Sequence, residues 1–260
     1  MNLLAWIMVF CFFGGALSVL AASLFLVIPD RLRTRLIPHL VSFAIGALLG
    51  AAFLALLPHA IASPQFIDVH SITMTVLLGV LGFFVLEKTV LWRHCHSTEC
   101  EAHVPEHPPH QHHAAGSLIL IGDALHNFVD GVLIAAAFLT DIHLGIVTAL
   151  AVAAHEIPQE VGDFAVLLHS GFSRYKALVF NLLSSLATIV GGILAYFSLS
   201  GLEGVLPYIL AIAAASFIYI AVADLIPGLH KQLRPVETLQ QLILISSGVL
   251  VIYFAHSTLH

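Results

Sequence analysis

Long apolar runs separated by short polar segments dominate the chain. A helix needs about 20 mostly apolar residues to cross a roughly 30 Å hydrocarbon core. Eight stretches meet that length: 3–28, 40–61, 72–92, 116–139, 143–169, 174–198, 205–227 and 238–257. None alternates apolar and polar residues as a barrel strand does. No room remains for a separate soluble domain, so residues 1–260 read as one all-α transmembrane domain. The first run has no Lys or Arg before Arg31 and is too long for the apolar core of a signal peptide, which makes it a retained span.

Composition agrees. Apolar residues make up 59% of the chain and Asp, Glu, Lys and Arg only 9%, against about 25% charged residues in a soluble domain. A surface so poor in charge belongs in lipid, and the chain is expected to be a polytopic membrane protein. The net charge of −6 argues against a nucleic-acid partner. Three cysteines, Cys11, Cys95 and Cys100, are too few for a disulfide scaffold. The unusual number is 17 histidines against 9 Lys+Arg, and it points toward metal.

The basic residues orient the spans. Arg31, Arg33 and Arg35 follow span one, and Lys88 and Arg93 end span three. Arg174 and Lys176 open span six, and Lys231 and Arg234 follow span seven. With eight spans, all nine fall on one side, which the positive-inside rule makes cytoplasmic. Both termini then face outward. One loop is long: residues 93–115 carry seven histidines (His94, His96, His103, His107, His110, His112, His113), two cysteines and three prolines. It shows no hydrophobic period, and its composition suits a disordered cytoplasmic segment. It reads either as a low-affinity metal buffer or sensor or as a solvated tail. Small residues mark close helix packing: Gly46, Gly50 and Ala51 in span two, Gly191 and Gly192 in span six, and Ala211 and Ala213–Ala215 in span seven.

Spans four and five break the apolar rule. Span four carries Asp123, His126, Asn127 and Asp130 at mid-depth, and span five carries His155, Glu156, Gln159, Glu160 and Asp163. A charged side chain at a helix centre costs about 2.5–3.5 kcal/mol on insertion scales, so these five carboxylates would cost on the order of 10 kcal/mol uncompensated. Neither core holds a Lys or Arg to pair with them. A cation from outside the chain is the economical answer. His126 and Asp130 lie one turn apart on one face. The five polar residues of span five share an arc of about 140°. The two faces can converge into a cage of imidazole, carboxylate and amide groups, a donor set that suits zinc, iron, manganese or cobalt. A proton relay without metal is the bland alternative. Pro158 lies within the run and is expected to kink the helix, because it lacks an N–H and clashes with the carbonyl of Ala154.

Other polar positions are more ambiguous. His59, near the outer end of span two, reads as an entrance ligand or as a solvated ring. Asp224, near the cytoplasmic end of span seven, reads as a pathway residue or as a cap. His39, His70, His143, His169, His230, His256 and His260 lie at interfaces, where ordinary solvation is sufficient.

These residues resemble those of the ZIP (Zrt/Irt-like) family of divalent metal transporters. HNFVDG on span four is similar to the family's His-Asn-x-x-Asp/Glu-Gly signature. HEIPQEVGD on span five is similar to the His-Glu-x-Pro-His-Glu-x-Gly-Asp signature of one subfamily. LLGAAFLALLPHA and FIYIAVADLIP add weaker matches, and the resemblance covers essentially the whole chain. It implies eight spans, both termini outside, a homodimer, and inward transport of a divalent cation such as zinc, with no cofactor beyond the transported ion. It also implies a binuclear site. His126, Asp130 and His155 would hold one metal, with Gln159 beside it. Asn127, Glu156 and Gln159 would face a second, with Asp130 able to bridge. Glu160 and Asp163 would line the exit. Gln159 departs from the subfamily, which has a second histidine there. A neutral amide is a weaker ligand, and span six offers only Asn181, Ser184 and Ser185, so one tight site and one weak one are expected. The short loops suit a bacterial inner membrane.

Three rivals differ in class. HEIPQ resembles the HExxH motif of zinc proteases, in which Glu is the general base, but Gln159 removes a ligand. Exporters of the diffusion-facilitator type pair His and Asp in helices, but they have six spans and a following cytoplasmic domain. A receptor that binds metal without moving it shares every feature read here.

Overall fold

The computed structural model describes residues 2–25, 27–63, 68–94, 110–230 and 234–259. Among them there is no strand. Eight long helical segments account for nearly all of the described chain. Helix α1 joins Leu3–Phe12, Phe13–Leu17 and Ser18–Leu24. Helix α2 joins Asp30–Gly50, Ala51–Leu56 and Leu57–Ile61. Then come α3 (Val69–His94), α4 (His110–Thr140), α5 (Ile142–His169) and α6 (Arg174–Leu199). Helix α7 joins Leu206–Tyr219, Ile220–Leu225 and Ile226–Leu229, and α8 spans Pro235–Leu259.

Seven of these are long and apolar enough to cross a membrane. The chain is an all-α polytopic membrane protein. The exception is α5, which has the length, at 28 residues, but not the apolarity. Its run from His155 to Asp163 is what lowers it. The residues that suggest a function are thus the ones that hide the helix from a hydropathy test.

Helix α5 is also the most enclosed. It packs against α1, α2, α4, α6 and α8, and its buried residues include Leu144, Val152, His155, Glu156, Glu160 and Phe164. Helices α3 and α8 lie at the periphery, with large side chains such as Leu78, Val85, Leu239 and Ile243 exposed. Polar groups are therefore held inside and apolar ones outside, as lipid demands.

Lipid removes the hydrophobic drive between helices, so close contact rests on small residues. Ala44, Ala47, Ala51, Ala52 and Ala55 are buried along α2, and Ala211 and Ala213–Ala215 along α7. The expected glycines meet backbone directly. A Cβ at Gly46 would sit 2.0 Å from the Ile245 carbonyl oxygen of α8. On α4 and α6, a Cβ at Gly131 would sit 1.9 Å from the Thr188 carbonyl oxygen, and one at Gly191 would sit 2.1 Å from that of Phe128.

Helix α5 continues through Pro158 as one helix. Three wider, π-helical stretches occur elsewhere, at Phe13–Leu17, Ala51–Leu56 and Ile220–Leu225. Pro58 and Pro227 follow the second and third stretches by two residues, and each lacks the N–H that would bond four residues back, inside the stretch; the first holds Gly14 and Gly15 instead. Two boundaries differ from those expected. Helix α2 begins at Asp30, ten residues before the apolar run at 40, because Arg31–Arg35 join it at a polar end. Helix also takes in both ends of the segment expected to lack structure, reaching His94 and resuming at His110. Extending an existing helix avoids the cost of a new nucleus. His94, His110, His112 and His113 lie in those helix ends. His96, His103 and His107 lie outside the described residues, as do Cys95 and Cys100.

The α4–α6 approach gives a direct test. Gly191→Ala should destabilise the detergent-solubilised protein by about 1–3 kcal/mol through overpacking. Gly82→Ala, where a Cβ meets nothing within 4 Å, should not. Equal thermal midpoints for the two variants would refute the close backbone contact.

Candidate metal centre

Helices α4 and α5 are joined at Asp141, whose carboxylate caps α5 by accepting from the N–H groups of His143 and Leu144. The short connection makes the two helices antiparallel neighbours. Residues that descend along α4 therefore meet residues that ascend along α5, and the polar faces read from the sequence are brought together.

Four side chains converge. His126 Nε2 lies 3.3 Å from His155 Nε2, 3.4 Å from Glu156 Oε1 and 3.7 Å from Asp130 Oδ2. His155 Nε2 lies 3.3 Å from Asp130 Oδ2 and 3.8 Å from Glu156 Oε1. Asp130, His155 and Glu156 are buried, and the His126 side chain keeps 24% exposure. The edge of a tetrahedron is about 1.63 times its centre-to-vertex distance. Five of the six edges, at 3.3–3.8 Å, would put a tetrahedral centre about 2.0–2.3 Å from the donors, close to the roughly 2.0–2.2 Å of zinc–nitrogen and zinc–oxygen bonds.

The surroundings aim these donors. His155 Nδ1 lies 3.1 Å from the Ala151 carbonyl oxygen. A carbonyl only accepts, so Nδ1 carries the proton and Nε2 keeps its lone pair toward the cluster. Phe217 of α7 packs edge-on against the same ring. Both carboxylate oxygens of Asp130 and of Glu156 are buried without a hydrogen-bond partner. Their near neighbours are the two imidazoles at 3.3–3.8 Å; a buried carboxylate without a hydrogen bond is costly, and a cation at the centre of the four donors would satisfy both.

A second group lies one turn further along both helices. Asp123 precedes Asn127 by a turn, and Glu160 follows Glu156 by a turn. Asp123, Glu160 and Asp163 each offer an oxygen within 4.8 Å of the others. Glu160 is fully buried and both its oxygens lack a partner.

Helix α6 holds the α4 side of both groups. The Ser184 hydroxyl bonds to the Asp123 carboxylate, and the Thr188 hydroxyl donates to Asn127 Oδ1 at 2.7 Å. Asn127 Nδ2 donates in turn to Asp123 Oδ1 at 2.9 Å. The pairs Asp123–Ser184, Asn127–Thr188 and Gly131–Gly192 share one offset, so α4 and α6 run parallel in a fixed register. Both ends of the Asn127 amide are thereby committed to positioning. Glu156, expected to face a second metal with Asn127, groups with His126, Asp130 and His155. Gln159 is half-buried one turn beyond His155.

The remaining candidates lie elsewhere. His59 is half-buried on the wall of a cavity of about 500 Å³ at the opposite end of α4, also lined by Leu139, Thr140, Glu203 and His256. The His59 and His256 rings meet edge to face at 5.2 Å. Asp224 is exposed in the π-helical stretch of α7. Sequence reasoning missed Thr188 and His256. Thr188 follows Ser184 at i+4 and was visible by that spacing. Nothing local connects His59 to His256, 197 positions later.

If α6 positions the donors, Thr188→Val should weaken zinc binding about 10–100-fold, as losses around a metal ligand do. Thr188→Ser should restore it. Equal titrations for all three proteins would leave Thr188 with a packing role only.

Known proteins share these features. A family model described as ZIP Zinc transporter matches residues 92–256. Zinc transporter ZIP13 of Pongo abelii is 34% identical over 263 residues, covering 93% of this chain and 76% of its own. Zinc transporter ZIP13 of Homo sapiens is 32% identical over 296 residues, covering 93% and 79%. Zinc transporter ZIP4 of Mus musculus is 46% identical over a shorter 112 residues, covering 43% and 17%. These relatives are animal proteins and lend no support to a bacterial inner membrane; a multi-pass integral membrane protein is what stands. With a family model matching more than half of its length and ZIP13 relatives aligned over 93% of it, the chain belongs to the ZIP family.

Proposed function

We propose that this protein carries a divalent transition metal, zinc first among them, into the cytoplasm through the α4–α5 site. The observation that carries this reading is the four-donor set of His126, Asp130, His155 and Glu156, spaced for a tetrahedral ion inside the helix bundle. Two imidazoles and two carboxylates suit zinc, and accept iron(II), manganese or cobalt. The relatives named zinc transporters support the same cargo.

All eight helices cross the membrane in this reading, with both termini outside. The support is the charge pattern: all nine basic residues then share the cytoplasmic side. The polar run of α5 does not prevent crossing, because it is buried among five other helices. The cavity at His59 opens on the outer side. Metal enters there, loses water at the four-donor set, and leaves past Glu160 and Asp163. Lipid covers the apolar faces of α3 and α8, and the same faces offer a surface for the homodimer that the resemblance implies.

Transport rather than hydrolysis is favoured by the donors themselves. A zinc protease keeps Glu156 free as general base and leaves one position for water. Here Glu156 Oε1 is 3.4 Å from His126 Nε2, inside the donor set.

Flux into proteoliposomes loaded with a chelating dye tests the reading. Zinc should enter with the unmodified protein, and His126→Ala and Glu156→Ala should each abolish entry while inserting normally. Flux should also fall as the outer pH drops, because protons compete with the metal for the imidazole and carboxylate donors. Full flux in both variants would refute the site, and binding without flux would place the protein among metal receptors.

A further inference from the structure

The four-donor set accounts for only two of the five carboxylates on α4 and α5; Asp123 and Glu160 are buried as well, and Asp163 is half-buried. One divalent ion there leaves three further carboxyl groups unanswered: Asp123 and Glu160 lie about one turn, ~5 Å, along the axis from the set, and Asp163, seven positions past Glu156, about two turns, ~10 Å. No Lys or Arg lies in the core of either helix to balance them. Hydrogen bonds reach Asp123, from Ser184 and Asn127. None reaches Glu160, which is fully buried and contributes an oxygen to the group. Asn181, one turn before Ser184 on α6, is a second fully buried side chain whose polar atoms lack partners.

We propose that Asp123, Glu160 and Asp163 form a second divalent-cation site, an oxygen-only station between the four-donor set and the basic ends of the helices. This rests on the four-donor set being the transport site. The two sites differ in kind. Two imidazoles favour borderline ions and strip their water, whereas carboxylates and water suit harder ions and leave part of the hydration shell in place. An ion passing from the first site to the second exchanges nitrogen for oxygen and binds less tightly. The second site is thus a rehydration step before release. It also differs from the pairing that the family resemblance implies, because Asn127 is held by Asp123 and Thr188 and is not available to a second ion. With both sites filled, four positive charges face five negative ones, close to balance.

Cobalt(II) separates the two sites, since a tetrahedral ion absorbs strongly in the visible and a six-coordinate one weakly. Equilibrium dialysis of the purified protein should give two bound ions per chain, with the strong band complete at the first. Glu160→Gln should bind one ion and keep the band. His155→Ala should lose the band and keep the weakly absorbing ion. Should Glu160→Gln fail to insert, Asp163→Asn, at a half-buried position, should also bind one. A single ion with a full band in the unmodified protein would overturn the second site and leave the first intact. Two ions in either carboxylate variant would overturn it as well. Absence of the strong band in the unmodified protein would instead refute the four-donor reading.

Discussion

Negative charge inside lipid has to be answered by something, and in this protein the chain does not supply the answer. Five carboxylates lie on two adjacent helices with no Lys or Arg in either core. Their cost, on the order of 10 kcal/mol if ionised and unpaired, exceeds what helix packing in a membrane readily offsets. The fold is consistent with deferring that cost to a bound ion. Helix α5, which carries three of the five, sits where five other helices surround it. The donors are therefore dry enough to bind an ion strongly, yet His126 retains an exposed edge through which one can arrive.

Positioning comes from a helix that contributes no carboxylate. The parallel α4–α6 pair is locked by glycine contacts at Gly131 and Gly191 and by two hydroxyls one turn apart. Backbone approach and side-chain hydrogen bonding reinforce each other: only helices this close allow Ser184 and Thr188 to reach Asp123 and Asn127. Packing, which in lipid has no hydrophobic drive of its own, is in this way tied directly to the geometry of the donors.

Much of this was legible in the sequence, for physical reasons. Span lengths follow from bilayer thickness, and the i, i+4 spacing of His126 and Asp130 needs only helical periodicity. The glycines of spans two and six were visible as close-packing positions. What remained hidden depends on three dimensions. Glu156 meets His126 because of the relative rotation of two helices, which no single-helix period contains. Two of the three π-helical stretches lie just before Pro58 and Pro227, while Pro158 sits inside α5 as one continuous helix, so a proline alone does not announce which outcome follows. The meeting of His59 with His256 joins the two ends of the chain.

The most direct test is X-ray absorption at the zinc edge on protein loaded with one equivalent of zinc. The donor spacing requires a four-coordinate ion with an average bond length of about 2.0–2.1 Å and outer-shell scattering from two imidazoles. Loss of half that scattering in His155→Ala would complete the assignment. A six-coordinate spectrum without imidazole scattering would contradict it, because the ion would then lie outside the set formed by His126, Asp130, His155 and Glu156.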